Sequence, residues 1–213
     1  MAALSSIYAL VRPMAPRVPD FALDGIARMV FRDFCTRSRA YRMALANVLL
    51  DAGVMDVEFS APAGMEVLRL TDVRLDGRKL YPRSADLMDA GHPRADWRDL
   101  APGTASYYVS DEYDPLKFKL APPSQEDGVL SAWAVVRPTG EFTTVPDRFL
   151  QWDLILATGI KAYLMEMPGT EFTNLEQARV EFNRFDSGCG DVRFAIERGG
   201  IDAPAHVQMI PFA

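Results

Sequence analysis

The stretch Pro168–Cys189, PGTEFTNLEQARVEFNRFDSGC, decides how the whole chain is to be read. Pro168-Gly169 ends whatever helix precedes it, because proline lacks the needed N–H and glycine favours the left-handed cap. Thr173 and Glu176 stand at capping-box spacing, in which each side chain satisfies a backbone donor at a helix start. Leu175, Ala178, Phe182, Phe185, Cys189, Val192 and Ile196 then recur at alternating intervals of three and four, one apolar face of an α-helix. Gly199-Gly200 terminates it. No residue in the stretch points to chemistry, so the question it poses is what the helix touches. Gly188 and Gly190 weaken an otherwise well-signalled helix and are read as a site of close contact or a kink, placed where adjacent subunits meet.

Upstream, Thr144 to Met167 carries the same period. Thr144 is the expected N-cap, Pro146 lies in the first turn, and Asp147 follows three residues after the cap. Phe149, Trp152, Ile155, Leu156, Ile160, Tyr163, Leu164 and Met167 give this helix a broad apolar face. Gly159 inside it costs about 1 kcal/mol against alanine, which points to a close helix contact. At the other end of the chain, Arg17–Ser38 (RVPDFALDGIARMVFRDFCTRS) predicts a helix with Pro19 at its start and Asp20 and Asp24 facing the positive end of its dipole. A second helical stretch is expected over Tyr41–Leu50.

Between these helices the period changes to two. Asp76-Gly77, flanked by VRL and KLY, predicts a type I′ hairpin, in which both central residues need positive φ. Ser106–Ser110, Leu116–Leu120 and the run LSAWAVVRP add strands, and the segment around Trp97 reads as a loop or short helix anchored by that ring. The expected fold class is therefore α+β, a helical bundle formed by the N- and C-terminal helices with a central antiparallel β-module insertion of four to six strands. The divisions expected are a helical part over 1–55, a β-rich insertion over 56–140, C-terminal helices over 141–200 and an extended C-terminal arm over 201–213. Two prolines and several apolar residues make that arm a docking segment rather than a free tail. Ile201, Pro204, His206, Val207, Met209, Ile210 and Phe212 are its candidate contacts with a partner or a neighbouring subunit.

Length and composition fit a single core, or a core with one substantial insertion. The chain has 213 residues, 49% hydrophobic and 24% charged, an ordinary balance for a folded protein. No run of about 20 apolar residues is available for a membrane span, and no basic segment precedes the apolar patch near the start, so a soluble, cytoplasmic protein is expected. Cys35 and Cys189 read as small buried hydrophobes, with no companion ligands for zinc. The net charge of −6 is uneven. Seven arginines against three aspartates in residues 1–42 leave that segment at +4, which places −10 on the rest. Arg28, Arg32, Arg37 and Arg39 form the candidate basic interface face.

Motifs of catalysis are missing from the sequence. There is no Walker-type or dinucleotide-binding glycine loop, no nucleophile elbow and no zincin motif. His92 and His206 each stand in a loop without a second ligand. Tyr107-Tyr108 and Trp97 are shaped for stacking on bases, but Asp111, Glu112 and Asp114 surround the tyrosines with acid. Neither enzyme chemistry, cofactor nor metal is expected.

In order and spacing the segments resemble a family of tailed-bacteriophage head–tail adaptor (connector) proteins. The segments are Arg17–Ser38, LDGRKLYPRSADLM, GTASYYV followed by LKFKLAPPSQEDGVL, and, most strongly, VPDRFLQWDLILATGIKAYLMEMPGTEFTNLEQARVEFNRF. The chain departs from the family in MAPRVPD and in its GCG interruption. The resemblance implies a structural virion protein without enzymatic activity, located in the neck and assembled in the host cytoplasm. It implies a homo-oligomeric ring, usually of twelve copies, docked under the portal protein and offering its other face to a tail or nozzle protein. Genomic DNA would pass through the lumen without specific binding, and the acidic net charge suits a channel that must not hold phosphates. A tail-completion or tail-tube component is the alternative, with a hydrolase using dispersed acidic residues far behind it.

Overall fold

The computed structural model describes residues 1–93 and 96–199. It is a mixed α+β protein. In chain order its helices are α1 (Asp20–Ser38), α2 (Ala85–Gly91), α3 (Asp153–Glu166) and α4 (Leu175–Glu197). Its strands are β1 (Ala2–Ala3), β2 (Arg42–Ala44), β3 (Val48–Leu50), β4 (Asp56–Glu58), β5 (Met65–Leu75), β6 (Arg78–Pro82), β7 (Tyr107–Ser110), β8 (Lys117–Ala121), β9 (Gly128–Pro138) and β10 (Thr144–Val145). Contacts divide the chain into two compact units: residues 1–40 together with the chain from 143 onward, and residues 41–142.

In the first unit α1, α3 and α4 pack against one another. α1 buries Leu23, Ala27, Val30, Phe31, Phe34 and Cys35, recurring at the three-and-four spacing of one helix face. α3 contributes Leu156, Ala157, Ile160 and Leu164, and α4 contributes Ala178, Phe185, Cys189 and Val192. Each large apolar side chain buried here stabilises the unit by about 1.5–3 kcal/mol. Phe149 sits edge-on to Phe31, with ring centroids 5.1 Å apart, and to Trp152 at 5.4 Å. α1 ends where Arg39 enters the left-handed region at φ 55° and its N–H donates to the Cys35 carbonyl at 3.1 Å.

Gly159 is where the three helices come closest. A Cβ there would lie 2.6 Å from Val30 Cγ1 and 2.9 Å from Phe185 Cδ2. The close contact expected at this glycine is therefore present, and it joins α3 to both of the other helices.

Two helix starts differ from expectation. Thr144 is not a cap: it belongs to β10, which pairs antiparallel with β1, and Pro146 precedes a 3-10 segment, Asp147–Trp152, that leads into α3. Strand pairing has taken the residues that local signals assign to a first helical turn. At α4 the N-cap is Asn174, whose Oδ1 accepts from the Gln177 N–H at 3.0 Å. Thr173 instead donates its hydroxyl to the Met167 carbonyl at 2.6 Å, closing the turn after α3. Asn and Thr are comparable caps, and the turn geometry decides between neighbours.

The second unit is a curled, mixed sheet in the order β2-β9-β5-β6-β7-β8-β4, with β3 also paired to β9. The helix expected over Tyr41–Leu50 does not form. β2 and β3 pair antiparallel with β9, Arg42 opposite Val135 and Val48 opposite Leu130, so the free edge of a long strand overrides local helical propensity. The β unit accordingly starts at Tyr41 rather than at residue 56 and holds more strands than the four to six expected. It is not wholly antiparallel, because β6 and β7 run parallel across the connection that carries α2. The Asp76-Gly77 hairpin is as predicted, with φ 49° and 78°. Register shifts between Val67 and Arg69 and between Leu70 and Asp72 mark bulges in β5, which add twist to the sheet. Trp97 is fully buried against Met88, Val109 and Ala121, and its Nε1–H donates to Asp89 Oδ1 at 2.8 Å.

Two glycine substitutions separate contact from propensity. Gly159→Ala is expected to destabilise the protein by about 1–3 kcal/mol through overpacking. Gly190→Ala, which adds a Cβ with nothing within 4 Å, is expected to stabilise it by about 0.5–1 kcal/mol. Denaturant unfolding midpoints of the two variants measure both effects.

Candidate functional site

The candidate basic face on α1 is partly consumed inside the first unit. Arg37 Nε donates to Asp33 Oδ1 at 2.8 Å and its Nη1 to Asp186 Oδ1 at 2.7 Å. Its guanidinium lies 5.0 Å from the centroid of the Phe182 ring. Hydrogen bonding to Asp33 is the largest cause holding the Arg37 pKa above its ordinary value. Arg39 Nη1 donates to Glu197 Oε1 at 3.1 Å, and Arg193 donates to the same oxygen at 3.0 Å. These bonds, Arg193 foremost, hold the Glu197 carboxyl below its usual range. Arg37 and Arg39 thus tie α1 to α4. Arg28 and Arg32 lie half-buried on α1, with Arg28 near the pair in which Tyr8 donates to Asp24. Burial, then that hydrogen bond, pushes the Tyr8 phenol up.

The two α4 glycines have different surroundings. A Cβ at Gly188 would lie 3.0 Å from Ile155 Cγ1, so its close contact is with α3 of the same chain. Gly190 is exposed and faces open space. α4 runs unbroken through both. Ile201, Pro204, His206, Val207, Met209, Ile210 and Phe212 lie outside the described residues. His92 follows α2, with Nδ1 2.9 Å from the Met88 carbonyl oxygen. Cys35 and Cys189 are both buried. Burial, reinforced by Asp33, pushes the Cys189 thiol up to about 12.

Several large apolar side chains are exposed at the surface. In the second unit Leu49 stands directly opposite Val129 on the sheet, and all of Leu49, Val129 and Trp133 are exposed. In the first unit Phe21, Leu154 and Phe194 are exposed. The second unit also has a cavity of about 500 Å³ with Val109, Trp97 and Phe118 in its wall. On its rim Lys117 lies 3.8 Å from Glu58 and Lys119 pairs with Asp56, beside the acidic Asp111 and Glu112. A groove of about 560 Å³ runs between α3 and the first half of α4, beside Tyr163, Leu175 and Phe182. Sequence reasoning missed the exposed apolar set. The available signal at Phe194 is a large aromatic two residues past Val192, off the buried stripe.

Among the described residues no group of three or more His, Cys, Asp or Glu is placed to hold a metal ion. No described helix is long and apolar enough to cross a membrane. Searched against protein-family models and against curated proteins, the chain matches none.

Arg37→Ala is expected to destabilise the protein by about 1–3 kcal/mol, because it removes two charge-assisted bonds and leaves the half-buried Asp33 without its partner. Urea unfolding of the variant, with Arg148→Ala as an arginine control outside the α1–α4 clamp, measures the difference.

Proposed function

We propose that the protein is a structural virion component, a head-to-tail adaptor of a tailed bacteriophage. Copies form a ring, usually twelve, beneath the portal, extending the DNA channel and presenting an attachment face to tail proteins. The observation that carries this reading is the set of large apolar side chains left uncovered on each unit, Leu49, Val129 and Trp133 on the sheet and Phe21, Leu154 and Phe194 on the helices. Where such side chains adjoin, as Leu49 and Val129 do across the sheet, they mark a surface suited to being covered by another protein. The order and spacing of the adaptor-like segments support the same reading, as does the net charge of −6, which would let DNA slide rather than bind.

In this proposal the N- and C-terminal helices act as a bundle forming the wall of the ring. The β unit presents surfaces to neighbours, and residues 201–213 reach the portal or an adjacent subunit. The protein works by being covered on several sides at once, without turning over a substrate.

Mixing the purified protein with portal rings of the same phage is expected to give joint rings by electron microscopy and co-sedimentation. Absence of any joint particle at saturating concentration overturns the adaptor reading. Deletion of residues 201–213 is expected to abolish joining, and unchanged attachment removes the arm from the proposal.

A further inference from the structure

We propose that the α3–α4 groove of one copy receives the C-terminal end of α4 from a second copy, with Phe194 inserted and the pairs Arg179–Asp191 and Glu166–Arg198 flanking it. The proposal rests on the ring reading above and commits it to one contact.

The groove is apolar at its floor and charged at its rim. Tyr163 and Phe182, ring centroids 6.3 Å apart, form the wall, and Leu175 is 58% exposed at the lip. A volume of about 560 Å³ lies within the range of pockets that bury a ligand group. Glu166 on α3 and Arg179 on α4 border it. Among the described residues neither has an ion-pair partner.

The other end of α4 has the complementary form. Phe194 is 55% exposed, a large ring left on a solvent face. Asp191 stands three residues before it and Arg198 four after, so both charges flank the ring on one face. The Arg198 guanidinium lies 3.8 Å from the ring centroid and steadies it. Asp191 and Arg198 also lack ion-pair partners among the described residues. An acid and a base flanking an aromatic ring therefore face a base and an acid flanking an aromatic slot. Reversing the approach would set like charges against each other, so the charges also fix its direction.

The Phe194 end that fits this groove belongs to another copy. Phe194 lies fifteen residues beyond Arg179 on one straight helix, roughly 22 Å at 1.5 Å per residue, so α4 cannot fold its own end into its own groove. Two different patches meeting in this way make a heterologous contact, which repeats from copy to copy and closes into a ring when the rotation allows.

Sedimentation velocity over a concentration series tests this with the full chain. The wild type is expected to associate, with Phe194→Ala and Arg179→Asp each weakening association about tenfold or more. The double variant Arg179→Asp with Asp191→Arg is expected to restore it, which a merely structural role for either residue would not do. Both positions are exposed, and circular dichroism checks that each variant is folded. A wild type that stays monomeric throughout overturns both the ring and this contact. Association that persists unchanged in Phe194→Ala and Arg179→Asp overturns the contact alone, as does association lost only on deleting residues 200–213, which would give the groove to that segment.

Discussion

Helix α3 can lie against α1 and α4 at the same time only because residue 159 has no side chain. With Val30 Cγ1 and Phe185 Cδ2 both inside 3 Å of where a Cβ would sit, any larger residue forces those side chains or their helices to shift. Everything else in the first unit follows from that approach. It sets Ile155 against Gly188, lets Phe149 reach Phe31, and brings the α1 arginines within reach of the α4 carboxylates. A helix glycine is unfavourable by itself, so its presence is explained by the packing it permits.

The electrostatics of the first unit are organised by that packing. A run of arginines near the start of a chain invites a reading as a surface for an acidic partner. Here Arg37 bridges Asp33 and Asp186 while lying over Phe182, and Arg39 shares Glu197 with Arg193. Charge asymmetry along the sequence has become charge pairing across two helices distant in the chain. Among the charges outside that pairing are Glu166 and Arg179 at the rim of the α3–α4 groove and Asp191 and Arg198 at the far end of α4.

What could be read from the sequence divides along the range of the forces involved. The long apolar stripes of α1 and α4, the type I′ hairpin at Asp76-Gly77 and the role of Gly159 were legible because each rests on local geometry or a strong periodicity. The cap at Asn174 instead of Thr173 is a choice between adjacent residues that turn hydrogen bonds settle. Tyr41–Leu50 was illegible for a deeper reason: its helix-favouring residues are recruited as strands by β9, a partner distant in the chain, with Arg42 paired to Val135 and Leu50 to Gly128. The candidate surfaces were the least legible. Arg37 and Arg39 looked free because Asp186 and Glu197 are remote from them in sequence, while Phe194 and Leu49 matter for being uncovered, which no periodicity reveals.

The first unit is built from two separated segments, with the whole β unit threaded between them. This gives synthesis a direction. The β unit has all its strands once β9 has emerged, whereas α1 must wait for α3 and α4. At ribosomal rates of about 5–20 residues per second, the intervening hundred or so residues leave the apolar face of α1 unpartnered for roughly 5–25 s. During that interval the apolar face of α1 that carries Phe31 and Phe34 lacks its helix partners, so the stage most open to misassembly or chaperone capture lasts until α3 and α4 emerge. The junction at Gly159 cannot close until both α3 and α4 have been made, after the last strand of the β unit.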